Sequence, residues 1–274
     1  KSFFRGRLVR GFKGNVIVCK DKNNHPFILV KNKQQTESTK RYRLQNLKIE
    51  HQKFCKIYDG TNSISGVFSI ITLTSDEQEL KNLFFDILYP IIQKIKVPSE
   101  PAELDKKLDQ LIELFKYLNK RPLKTASGLW SELYLIYKSQ DPRKCLKYWH
   151  QNPNNLYDFS LNNNHVEIKS TLSDSRKHFF SIYQAYPQGN PIVLIASVLL
   201  SRLENGLSLF NLKEKIKIKL DNDQDSISKL ERIFYETLGD SWKEASKESF
   251  DENFAGQNIA FFDLQEIPKL DVNQ

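Results

Sequence analysis

The segment YDFSLNNNHVEIKS, residues 157–170, limits the folds open to this chain more than any other stretch. Two short alternating runs flank Asn162 and Asn163, and Asn tolerates the positive φ that a two-residue hairpin turn needs. With those residues as the turn, 161 pairs with 164, 160 with 165, 159 with 166 and 158 with 167. Asp158 then stands opposite Glu167. Directly opposed side chains share a face, with Cβ atoms roughly 4.5–5.5 Å apart. Alternation puts Val166 and Ile168 on one side with Tyr157 and Phe159, and His165, Glu167 and Lys169 on the other.

Opposed carboxylates repel, and a divalent cation between them removes the repulsion. Mg²⁺ is commonly held by one or two carboxylates together with substrate phosphates. Lys169, on the same face, is placed to neutralise charge growing on a phosphate or to help position a water. The plain alternative is Lys169 pairing with both acids on a solvated face. Two other acid–x–Lys patterns, Glu79-Leu80-Lys81 and Asp105-Lys106-Lys107, fall in expected helices, where no neighbouring strand supplies a second carboxylate.

Glu132 adds a third acid. Leu129, Leu133, Ile136 and Tyr137 form the apolar stripe of its helix, and Glu132 borders or enters that stripe. A carboxylate there is costly unless it is paired or binds a metal; an edge position that reaches water is the competing reading.

A length of 274 residues leaves room for one large domain or two modest ones. With 39% hydrophobic and 27% charged residues, a soluble globular chain is expected. The longest apolar run, 192–200, is too short to span a bilayer, and the mixed basic start does not resemble a signal peptide. Cys19, Cys55 and Cys145 are odd in number and far apart, which fits a reduced, cytoplasmic protein and neither a zinc pattern nor a disulfide framework. The five histidines show no metal-ligand spacing. A net charge of +8 favours an anionic partner, nucleic acid first, although a Lys- and Asn-rich proteome would give the same balance.

Along the chain, NVIVCKD, PFILVKN, FCKIYDG and GVFSIITLT read as strands. A helix follows over 75–95 with Ser75 as its cap, then a Pro-containing linker and a second helix over 102–118. These features predict a β-rich lobe over 1–98 and a second domain over 99–274. The lobe's Arg5, Arg7, Arg10, Lys31, Lys33, Arg41 and Arg43 suggest a surface for DNA or a partner. In the second domain SGLWSELYLIYKS is helical, PIVLIASVLLS a buried strand, and a helix starts after Ser208. KEKIKIKL, 213–220, reads as a solvated face, 225–242 as a helix and NIAFFDL as a late strand. Helices around a mixed sheet give an α/β (α+β) fold class.

A helix bearing Glu132, Asp158 on one strand and Glu167-Ile168-Lys169 on the next resemble the PD-(D/E)XK nucleases. GLWSEL, YDFSL, HVEIKST, HFFSIYQ, VLIASVLL, GLSLFNL and EIPKL narrow this to the PD-(D/E)XK-type proteins of bacterial phage-defence clusters, over roughly residues 120–270. The resemblance implies a restriction-endonuclease-like mixed sheet flanked by helices. It implies Asp158, Glu167 and the Ile168 carbonyl as Mg²⁺ ligands, with Mn²⁺ able to substitute. Lys169 becomes the charge-stabilising lysine, Glu132 the helix acid that completes the metal site, and Gln184 a glutamine beside it. The proline usual before the first acid is absent; Tyr157 stands there. Ser170, Thr171, Arg176, Lys177 and His178 follow the motif and are candidate phosphate contacts. A solvated basic loop is the alternative for them, and His178 fits a satisfied structural histidine better than a catalytic base. Trp149 reads as core.

The function expected is a Mg²⁺-dependent DNA endonuclease, or nuclease subunit, of a restriction or phage-defence system. ATPase- or helicase-like defence proteins are the implied partners, with a homodimer also open. The alternative is an inactive DNA-binding or scaffold subunit on the same fold, since fold does not fix function.

Overall fold

The computed structural model describes residues 2–12, 14–33, 41–58, 63–150 and 155–268; the side chains of Ser2, Phe3 and Arg5 lie outside this description, as do the last two residues of EIPKL. The chain divides into two compact units, Lys1–Asn119 and Lys120–Gln274.

The first unit is a strongly curved sheet of six strands: β1 (Ser2–Leu8), β2 (Val16–Lys20), β3 (Pro26–Lys31), β4 (Tyr42–Arg43), β5 (Leu47–Tyr58) and β6 (Ser63–Leu73). The order is β1-β2-β3-β6-β5-β4. β1 also closes the ring: Gly6–Leu8 pair antiparallel with β2, whereas Ser2–Arg5 pair parallel with β5. At the changeover a Cβ on Gly6 would come within 2.5 Å of Cys19 Sγ, so only glycine allows the approach. Ile17, Cys19, Phe27, Leu29, Cys55, Ile57 and Phe68 fill the interior.

Two helices complete this unit, α1 (Gln78–Gln93) and α2 (Pro101–Tyr117). The expected division at 98/99 falls one helix before the observed one because α2 is tied to the sheet. His51 is buried beside a bulge in β5, with Nδ1 2.7 Å from Ser69 Oγ and Nε2 2.9 Å from Asp105 Oδ1 on α2. Ser75 is not the cap of α1: the helix starts later, at Gln78, and the Ser75 hydroxyl accepts from the Glu77 N–H ahead of it. Both acid–x–Lys patterns set aside above lie on these helices.

The second unit is built on a mixed sheet, β12-β9-β8-β7. The hairpin of β7 (Phe159–Leu161) and β8 (Asn164–Thr171) has the expected register, 159 with 166, 160 with 165 and 161 with 164, and Asn162 takes φ 54° at the turn. β9 (Ile192–Leu199) runs parallel to β8, and β12 (Ile259–Asp263) antiparallel to β9. A small second ladder joins β10 (Arg202–Ser208) to β11 (Ser249–Phe250). The helices are α3 (Ala126–Lys138), α4 (Pro142–Tyr148), α5 (Ile182–Ala185), α6 (Leu209–Leu220), α7 (Gln224–Leu238), α8 (Trp242–Ala245) and α9 (Glu252–Gln257). The unit is therefore α+β, as expected.

α3 carries the site and is firmly held. Thr125 caps it by accepting from the Gly128 N–H, it packs against β8 and α6, and Trp130 Nε1 donates to Leu207 O at 2.8 Å while stacking on Tyr134. Ser208 caps α6 as expected, accepting from Asn211 N.

Three further expectations need correction. Tyr157 does not join the Val166 side. It precedes the first residue of β7, so strand alternation does not bind it, and its ring packs on His165 and on buried Val193 and Ile195. Lys213 is not on a solvated face: it shares a buried column with Leu209, Leu212, Ile216 and Leu220, and its Nζ bonds both oxygens of buried Glu231 at 2.9 and 2.7 Å. The helix expected over 225–242 stops at Leu238, where Gly239 at φ 54° turns the chain into a short 3₁₀ segment before α8. No helix among the described residues is long and apolar enough to cross a membrane.

Candidate active site

Glu132 faces inward from α3 and is fully engaged. Its Oε1 accepts from Lys124 Nζ at 2.6 Å, and its Oε2 accepts from Trp149 Nε1 at 2.7 Å and lies 2.8 Å from His150 Nε2. Asp158, just ahead of β7, is also buried. Its Oδ1 accepts from Lys124 Nζ at 2.6 Å, and its Oδ2 from the Ile168 backbone N–H at 2.8 Å. His150 N donates to Asp158 O at 2.9 Å, and Trp149 bridges Phe159, so residues 149–150 extend the ladder beyond the hairpin. One ligand atom each from Glu132, His150 and Asp158 lies within 4.8 Å of the others.

Burial and the nearby Glu132 charge push the Asp158 carboxyl up to about 7, against a smaller pull from Lys124. Burial acts on Glu132 too, but Lys124 and His150 outweigh it and hold that carboxyl below its ordinary range. Burial works against the Lys124 charge, and the two carboxylates more than compensate, raising its pKa. Lys124, Trp149 and His150 surround Glu132, whereas Lys124 and the Ile168 N–H are the partners of Asp158, and the two carboxyls are pushed in opposite directions.

Glu167 and Lys169 stand on β8. Lys169 Nζ is 2.7 Å from Glu167 Oε1, and that oxygen also accepts from Gln184 Nε2 at 2.8 Å. Gln184 is fixed in turn by Leu156 O and by the capping box that starts α5 at Ser181. The Lys169 ammonium lies 5.1 Å from the centre of the Phe180 ring. The structure thus gathers Glu132 and Asp158 in one cluster and Glu167, Lys169 and Gln184 in a second. The Ile168 peptide and the electrostatic effect of Glu167 on Asp158 link the two.

The remaining candidates sit differently. Ser170 and Thr171 are half-buried at the end of β8, and Thr171 Oγ1 accepts from Ser173 N. The Arg176 guanidinium is committed to Ser197 O, Ser197 Oγ and Asn258 O at 2.6–2.9 Å, which is structural work. His178 Nε2 lies 2.7 Å from Ser197 Oγ, and burial, with Lys169 and Arg176, lowers its pKa. Lys177 is exposed. Lys124 and His150 were not among the sequence candidates, and Trp149 figured only as core; all three touch the acids.

Two buried carboxylates and a half-buried imidazole nitrogen converge closely enough to hold a divalent metal ion. A mixed sheet whose hairpin and flanking helix bring acids together, with Glu-x-Lys on the second strand, defines a nuclease-like α+β fold. The family described as "Putative PD-(D/E)XK family member, (DUF4420)" matches residues 7–274, and the chain belongs to it. No curated protein and no solved structure matches the chain.

Proposed function

We propose that the second unit is a divalent-cation-dependent DNA endonuclease acting in a bacterial phage-defence system, in the cytoplasm, alongside ATPase- or helicase-like partners. The observation that carries this reading is the convergence of buried Glu132 and Asp158 with half-buried His150 beside the Glu167–Lys169 pair. Asp158, Glu132 and His150 would hold the cation, with Glu167 and the Ile168 carbonyl as the further oxygens that the family pattern implies. When bound, the cation would supply Lewis acidity at the scissile phosphate.

The chain's own groups do the rest. Trp149 N–H and Ile168 N–H orient the two acids, one donor each, so neither carboxylate must reorganise during reaction. Gln184 holds Glu167, and Glu167 holds Lys169, which keeps a positive charge at the edge of the site. Beside them Phe179 is 93% exposed and Tyr183 73%, next to exposed Lys177, a combination suited to bases and phosphates.

The test is cleavage of supercoiled, linear and single-stranded DNA, and of RNA, with Mg²⁺, Mn²⁺ or EDTA, with and without neighbouring gene products. Cation-dependent cleavage lost in Asp158→Asn supports the reading. Nucleic-acid binding without cleavage under every condition would favour a scaffold subunit instead.

A further inference from the structure

We propose that Lys124 is a tethered counter-cation that occupies the metal position in the metal-free protein and is displaced when a divalent ion binds. This rests on the reading of Glu132, His150 and Asp158 as a cation site and names how that site is controlled.

A single atom, Lys124 Nζ, reaches all three side chains. It lies 2.6 Å from Glu132 Oε1, 2.6 Å from Asp158 Oδ1 and 3.5 Å from His150 Nε2. No other described ammonium bridges these two acids. A divalent ion held by the same carboxylates would claim the space and the oxygens that the ammonium now uses, and two cations repel strongly at that range. Binding is therefore an exchange rather than an addition.

The local structure permits it. Both carboxylates are buried, whereas 34% of the Lys124 side chain is exposed, so its stem already leads to solvent. Lys124 precedes Thr125, the cap of α3, and lies outside any helix or strand. The ammonium can swing out without breaking a ladder or a helical turn. Lys169 is different: it pairs with Glu167, not with Glu132 or Asp158, and has no need to leave.

The exchange has two consequences. Without metal, Lys124 lets two buried acids sit side by side, so the site folds before it is loaded. With metal, a positive charge is released to the rim where an anionic substrate arrives. Activity is then gated at a higher cation concentration than in a site without a competing lysine.

The first test is lysine footprinting on the wild-type protein with an amine-acylating ester, with and without saturating Mn²⁺. Acylation of Lys124 should rise several-fold with Mn²⁺, roughly as its ion pairs are released, while exposed Lys107 stays constant. The second is calorimetric Mn²⁺ titration of Lys124→Met, which should bind tighter by about tenfold or more because a unit charge close to the ion is gone. Unchanged or reduced Lys124 reactivity, with Mn²⁺ binding that Asp158→Asn abolishes, would overturn the exchange and leave the cation site standing. Absence of Mn²⁺ binding to both wild type and Lys124→Met would overturn the cation site and the exchange together. If Lys124→Met does not fold, the footprint alone decides.

Discussion

Replacing Lys169 by Met separates an enzyme from a binder. The Lys169 side chain is only 20% exposed, and its ammonium lies 2.7 Å from buried Glu167 and beside the Phe180 ring. Charge fixed in so dry a place is worth about 10²–10³ in rate when it meets charge that develops in the transition state, or roughly 3–4 kcal/mol. Met keeps the apolar stem against Phe180. Glu167 retains the Gln184 donor, so the stability loss should be smaller, about 1–3 kcal/mol for one charged hydrogen bond. Single-turnover cleavage and fluorescence-anisotropy binding, run in parallel at a temperature where Lys169→Met is folded, read the two effects apart. The expected result is nearly unchanged affinity with cleavage slower by at least roughly a hundredfold. In a pure binder Lys169 is one phosphate contact among many, and its loss would weaken affinity and lower the salt slope by about one. Undiminished cleavage by Lys169→Met would refute the role assigned to it.

Other outcomes follow from the same structure. The fold raises the Asp158 carboxyl from an ordinary 3.8 to about 7, so in metal-free protein the stability it contributes at low pH is lost as pH rises between those values; Asp158→Asn should flatten that fall in a series of thermal melts in EDTA. Glu231→Gln should destabilise the second unit by about 3–5 kcal/mol in urea unfolding, because it leaves the buried Lys213 charge poorly compensated. In native protein an alkylating agent should label Cys145 well before buried Cys19 and Cys55, whose thiols burial raises to about 12 and about 11; equal labelling in peptide mass analysis would contradict the closed sheet of the first unit.

What the sequence conveyed was local. Period-two alternation around an Asn pair set the hairpin register, and a 3.6-residue stripe placed Glu132 against the core. The resemblance to a known nuclease motif supplied Gln184, which the structure places on Glu167. Lys124, Trp149 and His150 were missed as partners because their meeting is tertiary: α3, the chain before it and the residue pair ahead of the hairpin converge from separate segments. The position of Trp149-His150 just before the first acid was the one available hint, since those residues continue the antiparallel ladder. Tyr157 was misplaced because alternation was extended past the start of β7. Lys213 was misread because its regular alternation with apolar residues hid a helical column ending at Leu220. The division of the chain was set one helix early because Pro-rich composition marked a linker, whereas the buried His51–Asp105 contact keeps α2 with the first unit.

The central claim is that Glu132, His150 and Asp158 hold a divalent cation. Anomalous diffraction from crystals grown with Mn²⁺ tests it most directly. The account predicts a strong peak within about 2.0–2.4 Å of an Asp158 oxygen and a Glu132 oxygen, the range for divalent ions of this size, with Lys124 Nζ withdrawn. A well-ordered map with Lys124 still bridging the two acids at saturating Mn²⁺, and no peak between them, would contradict it.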